Sequence, residues 1–232
     1  MRIPVLAIAA AIVLGSLVSG APAQYRSGPL PALPAMVLGG GEVFLEVAVD
    51  RAGQVIAIAP LRSTVPFTSL MIDAVNQWVF VPAEEPSDKG KVTASSRVLV
   101  VGIFRRPAFY APTLGELPED VGRPSDAIPF PLTTTLPPYP PLAHGGGVSL
   151  LEAQVDVDGS VAAIRVMRPA PPFDAAARAA IRQWRFRPAC VRGRLVSTTV
   201  YLVFGFPPPV LNSARATYRR SKRPVFFTRW MR

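Results

Sequence analysis

The chain has 232 residues, of which 50% are hydrophobic and 17% charged, a balance that excludes extended disorder over most of its length. Its 27 prolines and 17 glycines are too many for one compact helical domain. Its net charge of +10 lies mostly in the last two dozen residues, so the rest of the chain has no basic surface typical of nucleic-acid binding. One cysteine and one histidine argue against a disulfide framework, histidine-based zinc sites and hydrolytic triads, so we expect a protein without enzymatic activity, cofactor or metal.

Residues 1–23 have the pattern of an export signal. Arg2 precedes an apolar run from Ile3 to Val18, and the small residues Ala21-Pro22-Ala23 form a cleavage site before Gln24. A helix of about 16 residues reaches roughly 24 Å, which is short of the ~30 Å hydrocarbon core of a membrane. This length favours a cleaved signal peptide, and the alternative is an uncleaved anchor.

The chain contains an internal repeat. A shift of 106 positions aligns residues 39–83 with 145–189 without a gap, and about 20 of the 45 aligned residues are identical. A second register, shifted by 103 positions, aligns the segments that end each copy, because the first copy has three extra residues in its last loop. The pattern predicts two copies of one module, at residues 39–104 and 139–206.

Both copies have the same periodicity. A segment that alternates with period two precedes an aspartate- and glycine-containing turn in each copy, and a second strand follows at Val55–Leu61 or Val161–Met167, which predicts a hairpin. Apolar residues then recur at helical spacing from Phe67 to Trp78 and from Phe173 to Trp184. A third strand follows each helix, at Ser95–Phe104 and Thr198–Phe206. We therefore predict an α+β fold of two β-β-α-β modules, each a three-stranded antiparallel sheet with one helix packed on a face.

Proline-rich segments precede both modules. Residues 24–38 form a short lead-in, and residues 105–138 form a linker whose composition predicts a semi-extended spacer. The tail, residues 207–232, has seven basic residues, no acidic ones, and interleaved aromatic side chains. Such a tail is typical of solvated chain or of a segment that lies on an anionic membrane surface.

The second copy resembles the carboxy-terminal domain of the TonB family. The resemblance rests on Tyr139-Pro140-Pro141, on the turn Asp156-Val157-Asp158-Gly159, on Phe173-Asp174, and on Gln183-Trp184-Arg185-Phe186-Arg187-Pro188-Ala189. The first copy is similar from Gly41 to Phe104, although it lacks the Tyr-Pro pair before its first strand. Together the two stretches cover more than half of the chain.

The resemblance implies binding in the periplasm. Domains of this family capture an extended segment of an outer-membrane receptor, the TonB box, by adding it as a strand to a sheet edge. It implies that the third strand of the second module is this edge, and we expect the site at Ser197, Thr198, Thr199, Val200, Tyr201, Leu202 and Val203, with Tyr139 and Pro140 beside it. For Tyr139, packing of a linker aromatic on the domain is the alternative.

The chain departs from a full TonB transducer, which has a retained membrane anchor with a functional histidine and a long proline-rich span. Residues 1–23 contain no histidine, and about fifteen residues separate the expected cleavage site from the first module. We therefore expect a partner in an outer-membrane or other envelope protein, without energy harvesting by this chain. The alternatives are a structural envelope protein whose modules pair with each other or in a homodimer, and a short membrane-anchored transducer.

Overall fold

In a computed structural model of the chain, the described residues are 21–34, 39–105, 119–141, 143 and 145–208. The expected signal sequence up to residue 20 and the basic tail from residue 209 lie outside them. The described part is α+β, as predicted, with two helices, α1 (Phe67–Val75) and α2 (Phe173–Ile181). Its fifteen strands are β1 (Gln24–Ser27), β2 (Gly41–Val49), β3 (Val55–Ser63), β4 (Val79–Val81), β5 (Ala83–Ser87), β6 (Gly90–Ala94), β7 (Ser96–Phe104), β8 (Glu119–Asp120), β9 (Phe130–Thr133), β10 (Gly147–Val155), β11 (Val161–Arg168), β12 (Arg185–Arg187), β13 (Ala189–Val191), β14 (Arg194–Val196) and β15 (Thr198–Phe206).

The two helices begin where the sequence pattern places them and end three residues before Trp78 and Trp184, which the pattern had included in the helix face. Each has nine residues, and each follows a proline, Pro66 or Pro172, at the position where a helix tolerates it. The buried residues of each helix recur at i, i+4, i+7 and i+8, and they are Phe67, Met71, Ala74 and Val75 in α1, and Phe173, Ala177, Ala180 and Ile181 in α2. This spacing gives each helix one apolar face, which packs on the sheet.

The third strands of the two halves pair with each other, so the halves are not separate. In the described residues, the main sheet has seven strands in the order β11-β10-β15-β7-β2-β3-β8. Strands β15 and β7 lie at its centre and run parallel, with Val200 opposite Leu99 and Gly205 opposite Phe104. The prediction of one three-stranded sheet in each module is therefore wrong, because the two join in one sheet, as in the alternative in which the modules pair with each other. The pairing inside each half is antiparallel as expected.

The two helices lie on opposite faces of the sheet. Successive residues of a strand point to opposite faces. On β15, Val200 and Leu202 belong to the core that contains α2, while Tyr201 and Val203 belong to the core that contains α1. Parallel pairing of two equivalent strands explains this arrangement, because it relates the halves by a rotation about the strand direction. Each helix thus covers only its own half of a face.

The proline-rich segments cover the remaining half of each face. The lead-in pairs β1 with β4 of its own half, and its Tyr25 ring packs beside Tyr201 of the other half. The linker pairs β9 with β12, and its Phe130 ring meets Phe44 of the first half edge to face. Residues 119–141 are therefore packed chain, and the prediction of a spacer is wrong for this part of the linker.

A buried carboxylate fixes the linker on the first half. Glu46 is 4% exposed, accepts a hydrogen bond from the backbone N–H of Ser125 at 2.9 Å, and pairs with Arg97. Burial raises the pKa of this carboxyl, but the hydrogen bonds from Ser125 and Arg97 outweigh it and hold the pKa of Glu46 below its ordinary value. The charged carboxylate is thus satisfied inside the interface between sheet and linker.

Candidate peptide-binding site

The predicted receiving strand is interior to the sheet. Val200, Tyr201, Leu202 and Val203 are 0% exposed. Their strand pairs with β10 on one side and with β7 on the other, so its backbone groups from Val200 onward already have partners. The prediction of an open edge at these four residues is wrong, because β7 of the first half pairs with them on the side that was expected to be free.

Three residues of the predicted site precede the parallel pairing. Ser197, Thr198 and Thr199 are half-buried, and β15 begins to pair with β7 only at Val200. The Ser197 hydroxyl donates to the carbonyl oxygen of Val155 at 3.1 Å. These residues remain accessible on the side that faces β7.

Tyr139 packs on its own domain. It is 7% exposed, its hydroxyl donates to the carbonyl oxygen of Gly145 at 2.7 Å, and its ring meets Phe173 and Phe206 edge to face. Burial raises the pKa of this hydroxyl. Pro140 is half-buried, and its carbonyl accepts a hydrogen bond from Ala143. The alternative that Tyr139 packs on its own domain therefore agrees with the structure.

The hydroxyl of Tyr201 hydrogen-bonds to the backbone of the lead-in and is therefore not free to contact a ligand. It accepts from the backbone N–H of Tyr25 at 2.8 Å and donates to the carbonyl oxygen of Ala23 at 3.0 Å. Burial raises the pKa of this hydroxyl well above the ordinary value, so it stays protonated as a donor. Ala23, the last residue before the expected cleavage point, is fully buried in this contact.

The two ends of the sheet differ as templates. At one end, the outer strand β8 has two residues and pairs with the last two residues of β3, and the rest of β3 contains Pro60, which lacks an N–H. At the other end, β11 has eight residues without proline and pairs only with β10 among the described strands. Such a strand presents a row of unpaired N–H and C=O groups. The open edge of the second half is therefore β11.

The side chains of β11 would face those of an added strand on both sheet faces. Val161, Ile164 and Val166 are half-buried and pack against the core that contains α2. On the opposite face Arg165 is exposed and pairs with Glu152 at 3.0 Å. An added strand would therefore meet an apolar row on one face and a charged pair on the other.

Sequence reasoning did not identify β11 as the edge. A strand that is buried on both faces has a continuous apolar run. The runs Leu99-Val100-Val101 and Tyr201-Leu202-Val203 are of this kind, but β11 also begins with an apolar run, Val161-Ala162-Ala163-Ile164. Apolar runs therefore indicated that the third strands are buried, and they did not distinguish β11 as the edge.

Comparison with known families identifies the second half. Residues 136–207 match the family described as Gram-negative bacterial TonB protein C-terminal. This part of the chain is therefore similar to the C-terminal domain of TonB proteins. No curated protein sequence matches the chain. The matched region begins just before Tyr139 and ends just after β15, so it contains α2 and all six strands from β10 to β15.

Similarity to this family implies a location in the bacterial cell envelope. Among the helices of the described residues, neither is long and apolar enough to cross a membrane. Within the same residues, no group of three or more His, Cys, Asp or Glu side chains is placed to hold a metal ion. What this part of the chain offers is backbone hydrogen bonding at a sheet edge.

Proposed function

We propose that the chain is a periplasmic protein that binds an extended segment of an outer-membrane or other envelope protein by strand addition at β11. The observation that carries the proposal is the outer side of this eight-residue strand, which pairs with no other described strand and lies in the region that matches the TonB C-terminal family. An incoming strand would satisfy the unpaired backbone groups, and the side chains beside it would set the preference.

The first half is proposed to be a second copy of the same domain with a different role. The repeat in the sequence supports this, as do two helices of equal length and two matching tryptophan contacts. The indole N–H of Trp78 donates to the carbonyl of Pro29 at 2.8 Å, and that of Trp184 to Thr135 at 3.0 Å. The acceptors, like the tryptophans, are 106 positions apart. In this proposal β7 of the first copy pairs with β15, the third strand of the second copy, so that β11 is the edge that receives the ligand.

Binding is tested by calorimetric titration of the full chain with synthetic peptides that carry TonB-box segments of outer-membrane receptors. Proline is introduced in turn as Arg165→Pro and Val166→Pro. Since neighbouring N–H groups of a strand point to opposite sides, one of the two variants removes an outward N–H and leaves the pairing with β10 intact. That variant is expected to keep its melting temperature within a few degrees and to lose at least about tenfold in affinity, or about 1.4 kcal/mol.

The matched control is Arg165→Ala, which changes the side chain and keeps the backbone donor. It should bind within about threefold of the unsubstituted chain, because recognition is by the backbone. Equal affinity in all variants, or no saturable binding to any of the peptides, would contradict the proposal.

Self-association through the same edge is the second candidate, because a free edge strand is also a template for another copy of the chain. Light scattering on the eluting protein distinguishes the two. A monomer that binds peptide supports the proposal, whereas a dimer that Arg165→Pro or Val166→Pro dissociates supports a structural role instead.

A further inference from the structure

The linker adds a short strand to the sheet edge of the first half. Strand β8 pairs antiparallel with the end of β3, and Asp120 lies opposite Arg62. One residue further along, the backbone N–H of Val121 donates to the carbonyl oxygen of Leu61 at 3.3 Å. The chain thus contains its own example of an acidic strand received at a sheet edge.

An arginine of the edge contacts the acidic side chain of this added strand. The Nε of Arg62 donates to the carboxylate of Asp120 at 3.0 Å, and its Nη1 donates to Glu42 at 2.8 Å. The guanidinium carbon lies 4.8 Å from the centroid of the Phe44 ring. The ring and Glu42 hold the arginine in place at the edge, where it pairs with the carboxylate that the added strand brings.

Arg168 has the equivalent position at the edge of the second half. Arg62 lies opposite Phe44 in the pairing of β3 with β2, beside a shift of register. Arg168 lies opposite Leu150 in the pairing of β11 with β10, also beside a shift of register. It is exposed and is the last residue of β11. A strand added to β11 in the way that β8 is added to β3 would therefore place one of its residues opposite Arg168.

Arg168 lacks the acidic partners that Arg62 has. In place of Glu42 the second half has Val148, and within the described residues no carboxylate forms an ion pair with Arg168. Its Nη1 donates to the carbonyl oxygen of Gly28 at 3.5 Å, and it interacts with the hydroxyl of Tyr25. Burial raises the pKa of this hydroxyl, so both neighbours are neutral near pH 7. The edge therefore presents a cation that a carboxylate of the ligand can pair with.

We infer that the strand received by β11 runs antiparallel to it and carries an aspartate or glutamate near its amino end, opposite Arg168. The inference rests on the proposed function, because it specifies the direction and the charge of the segment that this edge receives. In an antiparallel pair, the ligand residues that follow the acidic one run along β11 toward Val161. A lysine or arginine opposite Arg168 would be repelled.

Two peptides of identical composition test direction and charge together. Both are N-acetylated and C-amidated, and their sequences are Gly-Asp-Val-Thr-Val-Thr-Val-Gly and the reverse, Gly-Val-Thr-Val-Thr-Val-Asp-Gly. Each is compared with its asparagine counterpart in NMR titrations of the ¹⁵N-labelled full chain. We expect the peptide with aspartate near its amino end to bind at least about threefold more tightly than its asparagine counterpart, as for an exposed ion pair. The reversed peptide should gain nothing from its aspartate.

Variants of Arg168 show whether this side chain is responsible. Arg168→Gln should remove the preference for aspartate, and Arg168→Glu should reverse it in favour of a peptide with lysine at the same place. Both should melt within a few degrees of the unsubstituted chain, because Arg168 is exposed. The control, Arg178→Gln, removes an exposed cation on α2 and should keep the preference.

The outcomes separate this inference from the proposed function. Protection of amides in Val161–Arg168 with equal affinity for aspartate and asparagine peptides would overturn the inference and support strand addition at β11. Tighter binding of the reversed peptide would also overturn it, because the added strand would then run parallel. If none of these peptides protected Val161–Arg168, the inference would be wrong, and the TonB-box titration would still decide the proposed function by itself.

Discussion

The substitution Val200→Pro is expected to destabilise the whole fold strongly, and not merely to weaken peptide binding. Val200 is fully buried and lies opposite Ala153 on one side and Leu99 on the other. Proline cannot donate to a ladder, and within sheets it is confined to edges and bulges. We expect a loss of at least about 4 kcal/mol in the free energy of unfolding, a large fraction of the total of about 5–15 kcal/mol. Urea denaturation followed by circular dichroism measures it.

The variant to compare it with is whichever of Arg165→Pro and Val166→Pro removes an outward N–H of β11 and keeps the pairing with β10. On the edge strand β11 the outward N–H has no ladder partner, so the loss should be less than about 1.5 kcal/mol. If Val200→Pro kept the denaturation midpoint and lost only peptide binding, the third strand would be a free edge, and the central parallel pairing would be contradicted.

Alanine at Gly159 is expected to have the second largest effect. Gly159 has φ +79°, and a Cβ atom there would lie 1.9 Å from the carbonyl oxygen of Phe186. That carbonyl cannot move away freely, because the neighbouring N–H of Phe186 donates to the Gly159 carbonyl at 2.9 Å. The strain of positive φ and the clash together should cost about 2–5 kcal/mol. Thermal or urea unfolding of Gly159→Ala checks this figure.

Gly193→Ala is the matched control for this prediction. Gly193 has a similar φ of +75°, but nothing lies within 4 Å of an added Cβ atom. It therefore has the conformational strain without the clash and should lose no more than about 1–2 kcal/mol. Equal losses in the two variants would mean that the chain relieves the clash with the Phe186 carbonyl at no cost, and would contradict the prediction.

The elements of each half were predictable because their signals are local. Period-two alternation gave the hairpins, and the spacing of Phe173, Ala177, Ala180 and Ile181 gave a helix at the observed position. Proline and glycine marked the turns and helix starts. These patterns depend on which face of one element is buried, and they do not state which strand lies beside it.

The pairing of the halves could not be deduced in this way, because strand neighbours are set by contacts distant in sequence. Leu99 and Val200 are paired although about a hundred positions separate them. The continuous apolar runs of the third strands indicated burial on both faces, yet the resemblance to a domain with a free third strand favoured an edge. Proline content likewise predicted extended chain in the linker without showing that Phe130 packs on Phe44.

Native-state amide hydrogen exchange, measured by NMR with and without a TonB-box peptide, tests the central claim most directly. In the free protein, we expect amides in Val200–Gly205 and Leu99–Phe104 to exchange only through global unfolding, while alternate amides of Val161–Arg168 exchange fast and become protected when peptide is added. Fast exchange along Val200–Val203 in the free protein, slowed by the peptide while Val161–Arg168 stays unchanged, would contradict it.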